Sequence, residues 1–178
     1  MIRKIFTIVL MASAFLVNAQ AYKGKGDKKF QVAANIQNGG TGIHASADFG
    51  LGENISYGFT ATYLLSADDS FRYENNFFGF PVAIPESPKF QDRFDAKVRF
   101  NANIGNVIGL PAAMDVYPGL HLGLRNFGTH VGFRYFFTDG FGVFTEAELP
   151  IAKYDKTVIG VEEYNNQFVV NIGASFNF

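Results

Sequence analysis

Arg93-Phe94-Asp95-Ala96-Lys97-Val98-Arg99-Phe100-Asn101-Ala102-Asn103-Ile104 alternates without a break: every even position is apolar and every odd position is charged or an amide. A period of two is that of a β-strand whose faces meet different surroundings. One face is too greasy for water, and the other carries four ionised side chains within seven residues. If the apolar face meets lipid, slipping the strand by one residue drives Lys97 and Arg99 into hydrocarbon. At about 2–4 kcal/mol for each, the slip costs on the order of 5–10 kcal/mol, so the membrane itself sets the register.

The same alternation recurs on both sides of this stretch. Within 29–38, Phe30, Val32, Ala34 and Ile36 interleave with Gln31, Asn35 and Gln37. Ile43, Ala45, Ala47, Phe49 and Leu51 then alternate with His44, Ser46, Asp48 and Gly50, and Ile55 to Tyr63 alternates with Ser56, Gly58, Thr60 and Thr62. Downstream come Met114 to Leu124, Val131 to Phe137, Phe141 to Leu149, and Gln167 to Phe178. Eight strands of about 10 residues use about 80 residues and leave room for turns and two long loops. The long connections, Ser66 to Asp92 and Pro150 to Tyr164, follow the third and seventh strands and emerge at one end. The turns at Gly52 and Thr138 fall at the other end, with both termini. This predicts an all-β fold, a transmembrane antiparallel up-and-down β-barrel of about eight strands. The connection Gly105 to Ala113 fits least well, being long and apolar where a short turn is expected.

Met1 to Ala21 reads as a signal peptide rather than as part of the fold. Arg3 and Lys4 precede the apolar Ile5 to Val17, and Ala19-Gln20-Ala21 supplies small residues at the cleavage spacing. The expected organisation is therefore a signal peptide over 1–21 and a barrel domain over 22–178. Removing the leader leaves 13 basic against 16 acidic residues, a net charge of −3, which excludes a basic nucleic-acid footprint. There is no cysteine, hence no disulfide framework and no thiolate metal site.

Alternation alone does not say which face points inward; the character of the polar face does. A soluble barrel would present bulky, solvated Lys and Glu. Here the polar positions are rich in glycine (Gly42, Gly50, Gly58, Gly119, Gly123, Gly132, Gly142, Gly173), with charges of both signs among them: Asp48, Arg93, Asp95, Lys97, Arg99, Asp115, Arg134, Glu146 and Glu148. An eight-stranded barrel has room inside only for side chains, and buried charges must pair. Aromatics at strand ends, Phe30, Phe49, Tyr57, Phe137, Phe141, Phe176 and Phe178 at one boundary and Tyr63, Phe94 and Phe168 at the other, are placed as interfacial girdles.

The chain ends Asn171-Ile172-Gly173-Ala174-Ser175-Phe176-Asn177-Phe178. This resembles the C-terminal signal of outer-membrane proteins, with Asn171, Gly173, Phe176 and Phe178 at its positions. The resemblance implies that barrel-assembly machinery reads the strand by edge pairing. More narrowly, Gly24-Lys25-Gly26-Asp27 with Phe30-Gln31-Val32, Tyr57 to Leu65, Gly109-Leu110-Pro111 with Met114 to Tyr117, and Arg134 to Phe144 resemble the small outer-membrane β-barrels of Bacteroidota, of the eight-stranded OmpA/OmpX type. That likeness implies the fold and a cell outer-membrane location with lipid as the surrounding partner, and carries over no function.

Chemistry-bearing residues are few. His44, Ser46 and Asp48 share one strand face, in the His-x-Ser arrangement that lipid A deacylases use, but the alternation turns them inward, away from lipid. His44, His121 and His130 lie on three strands with no spacing that demands a metal, and Asp68, Asp69, Glu74, Asn75 and Asn76 lack the order of an EF-hand loop. No catalytic residue, metal ligand or cofactor is therefore assigned. The apolar Phe77-Phe78-Gly79-Phe80-Pro81 stretch makes Phe77, Phe78 and Phe80 the candidate contact residues of the long loop, for an extracellular partner. The expected role is structural or surface interaction; a narrow channel and a lipid-modifying enzyme are the alternatives.

Overall fold

The computed structural model describes residues 19–75, 78–154 and 163–178, with backbone alone at 70–73, 75 and 86; the leader's residues 1–18 and Phe77 lie outside the described residues. Its strands are β1 (Lys28–Gln37), β2 (Gly40–Gly50), β3 (Ile55–Ala67), β4 (Ser70–Asn75), β5 (Pro81–Glu86), β6 (Phe94–Ala102), β7 (Met114–Gly123), β8 (Asn126–Phe136), β9 (Phe141–Lys153) and β10 (Val169–Asn177). One helical turn, α1 (Phe90–Arg93), precedes β6. Eight strands close a barrel in the order β1-β10-β9-β8-β7-β6-β3-β2, and β4 pairs with β5 as a separate hairpin. All neighbours are antiparallel, and nine residue pairs from Lys29↔Asn177 to Gln37↔Val169 make the closure.

Burial follows the alternation read from the residues. In β1 every odd residue from Lys29 to Gln37 is buried and every even one exposed; in β6 Asp95, Lys97, Arg99 and Asn101 are buried while Val98, Phe100 and Ala102 face out. The polar face is thus the interior. The exterior carries Val32, Ile36, Ile43, Phe59, Val98, Leu120, Leu122, Val131, Val143, Leu149 and Ile172, an apolar belt that hydrocarbon stabilises and water would not tolerate. At the end bearing the termini, Phe49 stacks on Tyr57 at 5.4 Å, and Tyr135, Phe137, Phe141 and Phe176 form a chain of rings 5.0 to 6.1 Å apart. At the loop end Tyr63, Phe90 and Phe94 pack together, adding Phe90 to the expected girdle.

Two departures from the sequence reading have local causes. β8 starts at Asn126, five residues before the expected Val131, because Asn126-Phe127-Gly128-Thr129 lacks polar contrast and a register shift falls between Phe127 and Gly128. The 103–113 connection is a set of tight turns, Ile108 N to Ile104 O and Leu110 N to Gly105 O, rather than a short hairpin turn. While the leader is attached it is tied to the N-terminal segment: Ala21 N donates to Ala112 O (2.7 Å), and Ala19 and Ala21 pack on Ala113 and Phe136. Burial and the Asp27 carboxylate push the Tyr22 hydroxyl up to about 12, so it stays protonated and donates to the carbonyls of Gly52 (2.9 Å) and Ile55 (2.7 Å). The apolar character of the connection thus helps stopper this mouth.

Candidate functional site: a packed ionic lumen and an exposed hairpin

Large inward side chains fit because glycine stands opposite them. Across neighbouring strands Tyr117 pairs with Gly132, His130 with Gly119, His121 with Gly128, Arg99 with Gly58, Lys97 with Gly123, Phe136 with Gly142 and Phe144 with Gly173. A methyl group on Gly132 would collide with the Tyr117 ring, on which the Arg134 guanidinium sits at 3.8 Å. Gly132→Ala is therefore expected to destabilise the barrel by about 1–3 kcal/mol, read as a lower temperature for its heat-induced gel shift.

The charges form layers along the barrel axis. Arg99, 1% exposed, donates to both Asp48 oxygens (2.7 and 2.6 Å), to both Glu146 oxygens (3.1 and 2.8 Å), and to Gln31 and Ser46. Toward the loop end Lys97 bonds Glu148 and lies 3.6 Å from Asp95, while Asn171 donates to Glu148 (2.7 Å). Toward the terminal end Arg134 faces Asp115 at 3.6 Å and Lys29 pairs with Asp27. The mixed charges expected to fill the interior do so, with Lys29, Lys97, Arg99 and Arg134 each beside at least one carboxylate.

His44, Ser46 and Asp48 all point inward, as their alternation requires, but do not form a relay. Ser46 Oγ donates to Gln31 (2.9 Å), His44 Nδ1 contacts Thr62 Oγ1 (3.0 Å), and Asp48 is held by Arg99. His121 and His130 stack at 5.7 Å, bonded to Asn126 (3.1 Å) and Asn101 (2.7 Å). His44 instead meets the two glutamates of β9: a ring nitrogen and an oxygen from each of Glu146 and Glu148 lie within 4.8 Å of one another. That convergence was not legible in the sequence; Tyr117, Phe136 and Phe144 point inward, as their alternation with Val116, Tyr135 and Val143 requires, despite their aromatic type.

The loop-end mouth is capped by the segment before β10. Asn165 N donates to Gln37 Oε1 (2.7 Å), Asn126 donates to Asn165 O (2.8 Å), and the Tyr164 hydroxyl bonds Asp68 O. Asn165 holds this clamp in the left-handed region (φ 57°), which asparagine tolerates better than most residues. Outside the cap stands the β4–β5 hairpin, where Phe78 and Phe80 are 80% and 67% exposed and Val82 and Ile84 also face out. Ser87 Oγ bonds Asp69 (3.0 Å) across its base. Of the terminal pattern, Asn171 and Gly173 serve the lumen, Phe176 packs on Phe141 at 5.7 Å, and Phe178 is 83% exposed.

A closed, glycine-relieved ionic lumen inside an apolar belt defines a small transmembrane β-barrel. The chain belongs to the family described as "Family of unknown function (DUF6646)", which it matches over residues 12–178. Three solved barrels are similar in fold. A designed transmembrane β-barrel has 8% identity and a TM-score of 0.50, covering 88% of this chain and 98% of that one. The N-terminal barrel domain of Pseudomonas aeruginosa OprF has 8% identity and a TM-score of 0.48, covering 88% and 100%. The Yersinia pestis outer membrane protein Ail has 11% identity and a TM-score of 0.43, covering 86% and 100%. No curated protein matches the chain.

Proposed function

We propose that the protein is an outer-membrane barrel with a closed lumen, whose work is done by the β4–β5 hairpin held outside the cell, and that it is not an enzyme. The observation carrying this reading is the hairpin itself: Phe78, Phe80, Val82 and Ile84 are exposed on a projecting two-stranded sheet, while the described lumen is filled by buried side chains. Exposed apolar surface of this kind marks a contact site. Protease added to intact cells is expected to cut within 69–87 and leave a heat-modifiable barrel. Protection of this segment until cells are broken would place the hairpin on the wrong side. Loss of binding to the cell-surface partner in Phe78→Ser/Phe80→Ser, with the barrel intact, identifies the contact.

Residues 1–21 act as the exported leader in this reading, and the terminal strand as the assembly signal. Phe178 separates that second role from packing. Deleting it should change the unfolding free energy of the refolded barrel by no more than about 0.5 kcal/mol, as for other exposed positions, yet lower the amount inserted in cells severalfold. Equal losses in both assays would make Phe178 a stability residue only. The channel alternative predicts stepwise conductance in planar bilayers; the closed lumen predicts a silent bilayer.

A further inference from the structure

The layer of charge around Arg99 and Lys97 does not balance. Among the described residues, Lys97 and Arg99 are the lysine and arginine cations within 4 Å of the four buried carboxylates Asp48, Asp95, Glu146 and Glu148, with the Arg125 and Arg134 guanidiniums farther off. Charges this deep are held only when compensated. Asp95 shows the deficit most plainly: Lys97 stands 3.6 Å away, and among the described residues no hydrogen bond of good geometry reaches either carboxylate oxygen. On the far side of Thr62 from Asp95, His44 is wholly buried, with Nδ1 at Thr62 and Nε2 lacking any partner among the described residues. Nδ1 is also 3.9 Å from Glu148 Oε1.

We propose that the lumen holds one divalent transition-metal cation of the Zn²⁺ type, ligated by His44, Glu146 and Glu148. One imidazole nitrogen and two carboxylate oxygens suit zinc better than magnesium or calcium, which prefer all-oxygen shells. The three donors lie within 4.8 Å of one another, and bonds of 2.0–2.1 Å in a tetrahedron need them about 3.4 Å apart, a closure that side-chain rotation supplies. Glu146 keeps Arg99, since each carboxylate oxygen has two lone pairs. Glu148 gives up Lys97, whose ammonium group passes to the waiting Asp95. The metal's two charges then cancel the surplus of the layer. The lumen is packed and its loop-end mouth is capped, so the ion enters as the barrel closes.

The test is to refold the full chain into detergent with ZnCl₂ or with EDTA, remove unbound metal by exhaustive dialysis, and count zinc per folded barrel. The wild type and His121→Gln are expected to keep about one zinc, and His44→Gln and Glu148→Gln at least tenfold less. A wild type without zinc means the surplus is met by protons and overturns the proposal. Equal zinc in all four overturns it too, since the ion is then adventitious. Should a variant fail to fold, the wild type refolded with Co²⁺ is expected to show the visible absorption of a low-coordinate nitrogen–oxygen site. A spectrum of hexaaqua Co²⁺ alone overturns the assignment.

Discussion

Arg99→Met is expected to lower the unfolding free energy by about 3–5 kcal/mol, the range for breaking a buried ion pair by removing one partner. The guanidinium holds both oxygens of Asp48 and both of Glu146, and all three residues are within 3% of full burial. Met fills the volume but leaves two carboxylates facing each other in a dry interior. Adding Asp48→Asn and Glu146→Gln removes those charges, and this triple variant should regain more than half of the loss. The chain has no tryptophan, so urea unfolding is best followed by far-UV circular dichroism or by the gel shift of the folded barrel. A single variant as stable as the wild type would mean that the carboxylates are compensated by something other than Arg99.

Val98→Arg tests the other face of the same strand. Val98 lies between Phe59 and Leu122 in the middle of the apolar belt. An arginine there should cost about 2–4 kcal/mol, and Leu65→Arg, near the loop end of β3, about 0–1 kcal/mol. The contrast is the point, because a surface facing water would tolerate both about equally. Equal small losses, measured by urea unfolding in lipid, would remove the belt from the membrane.

Much of this architecture is legible in the sequence. The strands beginning at Lys28, Phe94 and Met114 fall where alternation puts them, because side-chain direction reverses at each residue whatever the neighbours are. The first part of β8 was hidden, since Asn126, Gly128 and Thr129 are small or polar on both faces. The β4–β5 hairpin was also missed: Pro81 and Pro85 argue against a strand, and both are tolerated in a two-stranded sheet with free edges. The candidate contacts Phe78 and Phe80 stand exposed at its tip, and Phe77 lies outside the described residues.

By itself the sequence determined which residues meet lipid and which meet the lumen, because that division is local and repeats every two residues. Only the closed tertiary structure decided which luminal residues meet one another. Arg99 and Asp48, or Lys97 and Glu148, are 51 positions apart, and His44 faces glutamates that lie on a strand not adjacent to its own. Their meeting depends on strand order and on the stagger with which β1 closes against β10, and these are properties of the whole barrel rather than of any segment.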